Sequence, residues 1–347
     1  MPSSATHHLA AVIPSKGSPL EFVERPTPTP GPDELLIQVK AIAINPIDYY
    51  RFLIGVFVDV YPATIGSDYA GVIIAKGSNV ADNVKLGTRV LGVSASFASK
   101  GAPDYGAFQE RVLVPASTVT PLPDAISFAE ATVLPLAVLT AWAGWYQLGL
   151  PRNTKFTPAD KKGLIIWGGA SSVGSVVVQA ARLLGFTTYV TASEKHHAYL
   201  NSLGATRLFD YKDAEVVDKI ANAIKEDGVS VQSAYHAIGD LHSTLDVLLK
   251  VKGEGIAKVA HAPPIQSDTP KADGIEVKFV IPPMDSPEAT AEFIQFVFTD
   301  WLEGKLATGE IVPSPRVQLV AGGLRSLPKA LDEWKNGVSG AKIVVEL

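Results

Sequence analysis

The sequence predicts an α/β protein built from a compact, β-rich part and a doubly wound parallel sheet. Three features carry this: prolines and glycines cut the first third into short strands, the middle alternates strand with helix, and the last stretch returns to short strands. A chain of 347 residues holds about two domains of roughly 150 residues each. With 47% hydrophobic and 19% charged residues, there is enough apolar surface to offset the ordering entropy of a globular fold.

Residues 20–23 and 34–43 read as strands, the second with alternating apolar positions, and no helix crosses the proline-rich turn between Pro26 and Pro32. Runs at 70–75, 89–93 and 108–115, punctuated by Gly66, Gly71, Gly77, Gly87 and Gly106, continue an antiparallel, barrel-like pattern. Past Pro123 the periods lengthen. A helix is expected over 127–147, then a strand at 162–167, a helix at 174–184, a strand at 187–191 and a helix at 196–203. Strands at 234–237 and 255–260 flank a helix at 243–250, and this alternation predicts a parallel sheet covered on both faces. A helix at 286–303 has Pro287 near its start and Gly304 at its end. Strands at 316–319 and 342–347, around a helix at 327–335, return to the first domain. The expected division is therefore 1–125, 126–304 and 305–347.

Thirty Lys and Arg against thirty-five Asp and Glu give a net charge of -5 with scattered cations, so no footprint for a nucleic-acid backbone is present. With no cysteine, disulfides, thiolate nucleophiles, iron–sulfur clusters and Cys-based zinc sites are excluded. The amino terminus has no basic region followed by an apolar one, which gives a cytosolic address as the expectation. The uncharged run 131–151 mimics a membrane span, but Pro135, Gly144, Gln147 and Gly149 interrupt it, so it is read as a buried helix and no membrane partner is expected.

The most informative segment is Gly168-Gly169-Ala170-Ser171-Ser172-Val173-Gly174, set between a strand and a helix. Free backbone N–H groups and the positive end of the helix dipole would receive a pyrophosphate there. Gly169 makes the tight turn, Ser171 takes the middle glycine position of G-x-G-x-x-G, Ser172 and Val173 complete the cofactor-binding turn, and Gly174 allows close packing. The next strand ends about twenty residues on, where the ribose is recognised. There Ser193 and Lys195 offer a hydroxyl and an ammonium to a 2′-phosphate, which selects NADPH, with Glu194 as the opposing charge. The same turn fails as a G-x-S-x-G hydrolase elbow, having one residue too many before Gly174. Among the histidines, His7 and His8 sit at an end expected to fray. His196 and His197 cannot share a helix face, and His236, His242 and His261 are read as hydrogen-bonded side chains, so no metal is assigned.

Together with that turn, the stretches Ala43-Ile-Asn45-Pro46-Ile-Asp48, Pro62-Ala-Thr-Ile-Gly66-Ser67-Asp68-Tyr69-Ala70-Gly71 and Leu134-Pro135-Leu136-Ala-Val-Leu139-Thr140-Ala141-Trp142 resemble the medium-chain dehydrogenase/reductase superfamily over nearly the whole chain. They look most like its fungal trans-acting enoyl reductases and zinc-free quinone reductases. The resemblance implies a GroES-like β-barrel catalytic domain and a Rossmann-type dinucleotide domain with the site in the cleft between them. Where the zinc alcohol dehydrogenases of that superfamily carry Cys, His and Cys ligands, this sequence has Asn45, Ser67 and Leu136, so Lewis-acid polarisation by zinc is not expected. Hydride would then pass from NADPH to the β-carbon of an enone or enoyl group, or to a quinone, with a proton following at the α-carbon.

By the same resemblance, Asn45 is a polar contact near the nicotinamide or the substrate carbonyl, Thr140 orients the carboxamide, and Tyr211 contacts the 2′-phosphate. A tyrosine acid expected in the loop after Asn-Pro is absent from Gly55-Val56-Phe57-Val58, leaving Tyr49, Tyr50 or solvent to protonate the enolate. The expected partner is a small-molecule or carrier-bound unsaturated substrate, for a chain acting as monomer or homodimer. The alternative from another class is a non-catalytic NADPH-binding sensor.

Overall fold

The computed structural model describes residues 6–347. They form two compact units, one comprising the chain up to Leu136 together with Ile294–Leu347, the other Ala137–Phe293. The first unit opens with β1 (His7–Val12) and β2 (Glu21–Pro26), an antiparallel pair in which His7 faces Pro26 and Val12 faces Glu21. The fraying expected at His7 and His8 is therefore corrected. His8 is buried, with Nε2 3.0 Å from Gln109 Oε1, because an isolated polar end becomes ordered once a second strand pairs its backbone. Next come β3 (Glu34–Ala43), α1 (Pro46–Ile54), β4 (Asp68–Lys76), β5 (Arg89–Val93), β6 (Arg111–Pro115), β7 (Val119–Pro121) and α2 (Phe128–Ala131). At Gly71 a Cβ would stand 2.2 Å from the Gln38 carbonyl oxygen, so only glycine lets β3 and β4 approach this closely.

The helix expected over 127–147 is two. Ser127 caps α2 by accepting the Glu130 N–H at 3.2 Å, while the Glu130 carboxylate takes the Ser127 N–H at 2.9 Å. Pro135 then lacks the N–H that continuation needs and starts α3 (Pro135–Leu148) instead. The stretch 128–148 is long and apolar enough to cross a membrane by length and composition, yet 67% of its most apolar window is buried inside the protein.

The second unit continues with β8 (Lys162–Trp167), α4 (Ser172–Leu184), β9 (Thr187–Thr191), α5 (His197–Leu203), β10 (Arg207–Phe209), α6 (Val216–Asp227), β11 (Ser230–His236), α7 (Leu241–Val251), β12 (Ala257–His261), β13 (Ile275–Phe279) and α8 (Pro287–Gln295). Its strands lie in the order β10-β9-β8-β11-β12-β13, every pair parallel. That is the doubly wound sheet the alternation predicts. The flanking strands β10 and β13 escape sequence reading because they are short or half-exposed edges without a buried apolar run. Ile165, Tyr189, Ile220, Ala234, Leu245 and Val259 join one core under the helices, each fully buried aliphatic side chain contributing about 1.5–3 kcal/mol.

The expected helix 286–303 stops at Gln295 and widens into a π-helical stretch, Phe296–Leu302, before α9 (Glu303–Ala307). The Thr120 hydroxyl donates to the Phe298 carbonyl at 2.7 Å, an inserted partner of the kind that opens an α-helical ladder. The chain then returns through β14 (Arg316–Leu319), α10 (Leu327–Lys335) and β15 (Ala341–Glu346). The first unit's main sheet runs β14-β15-β3-β4-β5-β7, with β6 also paired to β3. β14 and β15 are parallel, so the sheet is mixed where the sequence suggested antiparallel pairing throughout. The antiparallel register of β15 on β3 sets Val344 opposite Ala43, and this brings the last strand beside the Asn45-Pro46 turn.

Candidate functional site

In the second unit, the carboxyl ends of five adjacent strands fall in register: Phe209 beside Thr191, Thr191 beside Trp167, Trp167 beside His236, His236 beside His261. This is the edge at which open parallel sheets bind ligands. The glycine turn leaves it directly after Trp167. Gly168 adopts φ +83°, and its N–H donates to Thr191 Oγ1 at 3.1 Å, while the Gly169 N–H donates to the Thr191 carbonyl at 2.9 Å. Thr191, absent from the sequence-derived site, is thus the anchor of the turn.

Ser171 is the N-cap of α4. Its Oγ accepts the Gly174 N–H at 3.1 Å and donates to the Gly168 carbonyl at 2.8 Å, so the hydroxyl shapes the loop and is already spoken for. Helix geometry leaves the N–H groups of Ser172 and Val173 without intrahelical acceptors, and the Ser172 hydroxyl is buried with no partner. A Cβ on Gly174 would lie 2.2 Å from the Gly168 oxygen, and one on Gly169 2.2 Å from Val190. Both positions are closed to any side chain, and together they make a cradle with backbone donors at its mouth.

Beyond β9, Ser193 donates to Tyr211 Oη at 3.4 Å, and Lys195 is exposed two residues further on. The structure therefore brings together two of the residues assigned to 2′-phosphate recognition. Asp210 was missed: its carboxylate takes the N–H of Lys212 at 2.9 Å and of Glu194 at 3.4 Å, tying the two loops. Thr140 lies on α3, and its carbonyl receives the Tyr235 hydroxyl at 2.7 Å. The Tyr235 ring occupies the space a Cβ on Gly144 would need, 2.1 Å from that position.

His236 and His261, each expected as a separate hydrogen-bonded side chain, are found packed on one another. Their rings stack at 4.7 Å between centroids and 25° between planes, both are buried, and neither His236 nitrogen nor His261 Nδ1 has a partner. Burial, with His261 alongside, pushes the His236 imidazole down to about 4. Only tertiary register brings the two rings together; the sequence separates them.

In the first unit, Asn45 is the N-cap residue of α1, buried, and its amide points inward. Nδ2 donates to Asp68 Oδ2 at 2.8 Å and sits 3.3 Å from Asp48 Oδ2, while Oδ1 accepts from Lys342 Nζ at 2.9 Å. The sequence aims this amide at a substrate carbonyl; in the structure its donors serve the two carboxylates. Asp68 also takes Lys342 Nζ at 2.5 Å and the Leu136 N–H at 2.7 Å. Asp48 accepts the Ser67 hydroxyl at 2.7 Å and the Asn45 N–H at 2.9 Å. Burial lifts the Asp48 carboxyl to about 6 against the Ser67 hydrogen bond, with Asp68 adding to the rise. Arg51, fully buried, donates to the hydroxyl and carbonyl of Ser96, and burial draws its guanidinium down to about 10.

Tyr49, partly buried, sits with its ring 5.1 Å from that of Trp334 and packs against the core. Lys342 and Asp48 were not singled out by sequence reasoning. A lysine in a terminal strand of apolar residues is the one available signal, and it is weak because strand lysines ordinarily reach solvent.

Residues 31–124 match the model of the alcohol dehydrogenase GroES-like domain, and residues 172–255 that of the zinc-binding dehydrogenase. An alcohol dehydrogenase superfamily protein from Novosphingobium aromaticivorans superposes with a TM-score of 0.80 at 22% identity, covering 98% of this chain and 99% of that one. Fold and matches define the class, an oxidoreductase built on a GroES-like unit and a Rossmann-type unit whose family binds a nicotinamide nucleotide. Trans-enoyl reductase tndF of Aspergillus flavipes is 47% identical over 345 residues, 99% of this chain and 100% of the relative. Trans-enoyl reductase tazE of Aspergillus terreus is 48% identical over 282 residues, 80% of this chain and 93% of the relative. The chain belongs to the medium-chain dehydrogenase/reductase superfamily, in its zinc-free, enoyl reductase-like branch.

The second model's description implies a zinc ion, and the residues do not fit one. An amide, a hydroxyl and a leucine stand at the ligand positions, with an ammonium bonded to the amide. Among the described residues no group of three His, Cys, Asp or Glu could hold a metal, and the thiolate or imidazole donors zinc prefers are missing.

Proposed function

We propose that this protein is an NADPH-dependent enoyl reductase that saturates a carbon–carbon double bond conjugated to a carbonyl, on a free or carrier-bound acyl substrate. The observation that supports it is the likeness to tndF along the whole length of both chains. NADPH, when bound, supplies the hydride that adds at the β-carbon. The residues proposed to hold it are Gly169, Ser171, Ser172, Val173 and Gly174 at the pyrophosphate, with Ser193, Lys195 and Tyr211 at the 2′-phosphate. The first-turn N–H groups of α4 present donors to the anion, and Ser171 holds the loop in shape. Thr140 is the proposed partner of the nicotinamide carboxamide. Asn45 supports the reacting region from within its buried network, and Tyr49, with Tyr50 or solvent as the alternatives, is the proposed source of the proton at the α-carbon. On this reading the enzyme works in the cytosol as a monomer or homodimer.

The test is NADPH oxidation by the purified, metal-stripped protein on α,β-unsaturated thioesters of pantetheine, on the same acyl chains attached to a carrier domain, and on enones and quinones. Turnover of the thioesters without added metal is expected. Turnover of quinones alone would replace the enoyl reading by a quinone reductase one. Tight NADPH binding with no turnover of any acceptor would replace it by a sensor.

A further inference from the structure

Asn45, Ser67 and Leu136, the positions at which zinc dehydrogenases of the superfamily carry ligands, all bond into one buried cluster that contains its own cation. Lys342 Nζ bonds to Asn45 Oδ1 at 2.9 Å and Asp68 Oδ2 at 2.5 Å, with the Val133 carbonyl at 3.4 Å. The other Asp68 oxygen takes the Leu136 N–H, and Ser67 reaches the cluster through Asp48, whose second oxygen takes the Asn45 N–H. Lys342 and Asp68 are 4% and 0% exposed. We infer that the Lys342 ammonium is the resident cation of this site, standing in for the metal of the superfamily's zinc enzymes. It is a positioning residue that fixes the Asn45 amide and, through Asp68, the first turn of α3.

The physical case rests on saturation. An ammonium has three N–H donors and finds three oxygens here, and the Asp68 carboxylate receives three donors in return. A buried ion pair holds its geometry when its remaining hydrogen bonds are satisfied in this way, whereas removal of one partner leaves an uncompensated charge. A divalent ion entering the cluster would meet a fixed positive charge, two carboxylates whose oxygens already accept from Lys342, Asn45, Ser67 and the Leu136 N–H, and otherwise only amide, hydroxyl and backbone, without thiolate or imidazole. The cation comes from β15, 297 residues along the chain from Asn45. The strand that closes the sheet therefore also completes the site.

Metal content and stability test this without any assumption about the substrate, so its failure is separable from failure of the enoyl reading. Full-length protein incubated with zinc chloride and desalted is expected to retain no stoichiometric zinc by elemental analysis. Lys342→Ala is expected to lower the melting temperature. Propylammonium, which with the alanine Cβ rebuilds the missing chain, should restore it, and 1-propanol at the same concentration should not. Lys342→Met combined with Asp68→Asn removes both charges at similar volume and covers the case in which the single variant does not fold. This double variant is expected to bind nicotinamide nucleotide as the wild type does, while kcat on whichever acceptor the protein reduces falls roughly 10- to 100-fold, the scale of a ~1 Å misplacement. Stoichiometric zinc in the wild type, rescue by propanol as good as by propylammonium, or an unchanged kcat in the double variant would each overturn the inference.

Discussion

His236→Phe is the perturbation that tests the carboxyl edge of the parallel sheet most directly. The imidazole is 1% exposed, neither nitrogen has a hydrogen-bond partner, and its folded value is pushed down to about 4 from an ordinary 6.5. At 1.36 kcal/mol per pH unit, that gap corresponds to about 3 kcal/mol. The native state holds the ring neutral, and the unfolded chain takes up a proton below pH 6.5. The ring's contribution is therefore present above pH 6.5 and is lost as pH falls toward 4. Phenylalanine keeps a flat ring against His261 and removes the titration. Urea unfolding between pH 7.5 and 4 should show the wild type losing about 3 kcal/mol more than the variant. At pH 7.5 the variant should be at least as stable, because an unpaired buried polar group costs about 1–3 kcal/mol. Parallel stability curves for the two proteins would refute the reasoning, since the wild-type imidazole would then titrate alike folded and unfolded.

Gly174→Ala forces a Cβ to 2.2 Å from the Gly168 oxygen and 2.8 Å from the Gly169 Cα, so nucleotide titration by fluorescence should show binding lost. Gly304→Ala, with nothing within 4 Å of the new atom, should bind normally and gain up to about 1 kcal/mol of stability from helix propensity. Asp48→Asn removes a carboxyl held at about 6. Asp48's contribution to folding is full below the ordinary 3.8 and lost as pH rises through 6. Between pH 4 and 7 the wild type should therefore lose about 3 kcal/mol relative to the variant, opposite in sense to the His236 effect. Lys195→Ala should raise the NADPH Michaelis constant about tenfold, the scale of one charge-assisted hydrogen bond, and leave that for NADH nearly unchanged; equal effects on the two nucleotides would remove the phosphate assignment.

Reading the sequence for turns succeeded where one residue's backbone chemistry decides the outcome. The Gly168–Gly174 loop could be read because a buried strand, small residues and a helix start are local requirements, although the left-handed φ of +83° falls on Gly168 and not on Gly169, to which the tight turn was assigned. The break at Pro135 is equally local, and the expectation of a continuous helix over 127–147 underweighted it. Other features were out of reach. β10 and β13 draw their pairing from neighbours and carry almost no pattern of their own.

Composition and punctuation in the chain were thus sufficient to determine two kinds of sheet, a glycine-rich turn between strand and helix, and the lack of any cysteine donor, because each depends on residue type or on φ and ψ at one place. Tertiary structure alone decided that His261 lies face to face with His236 and that Lys342 meets Asp68 and Asn45. The first follows from the pairing of adjacent strands, His236 beside His261, and the Lys342 contacts from strand register across 274 and 297 residues. What fixes them is the free energy of closing a whole sheet over its core, and no local stretch of sequence contains that quantity.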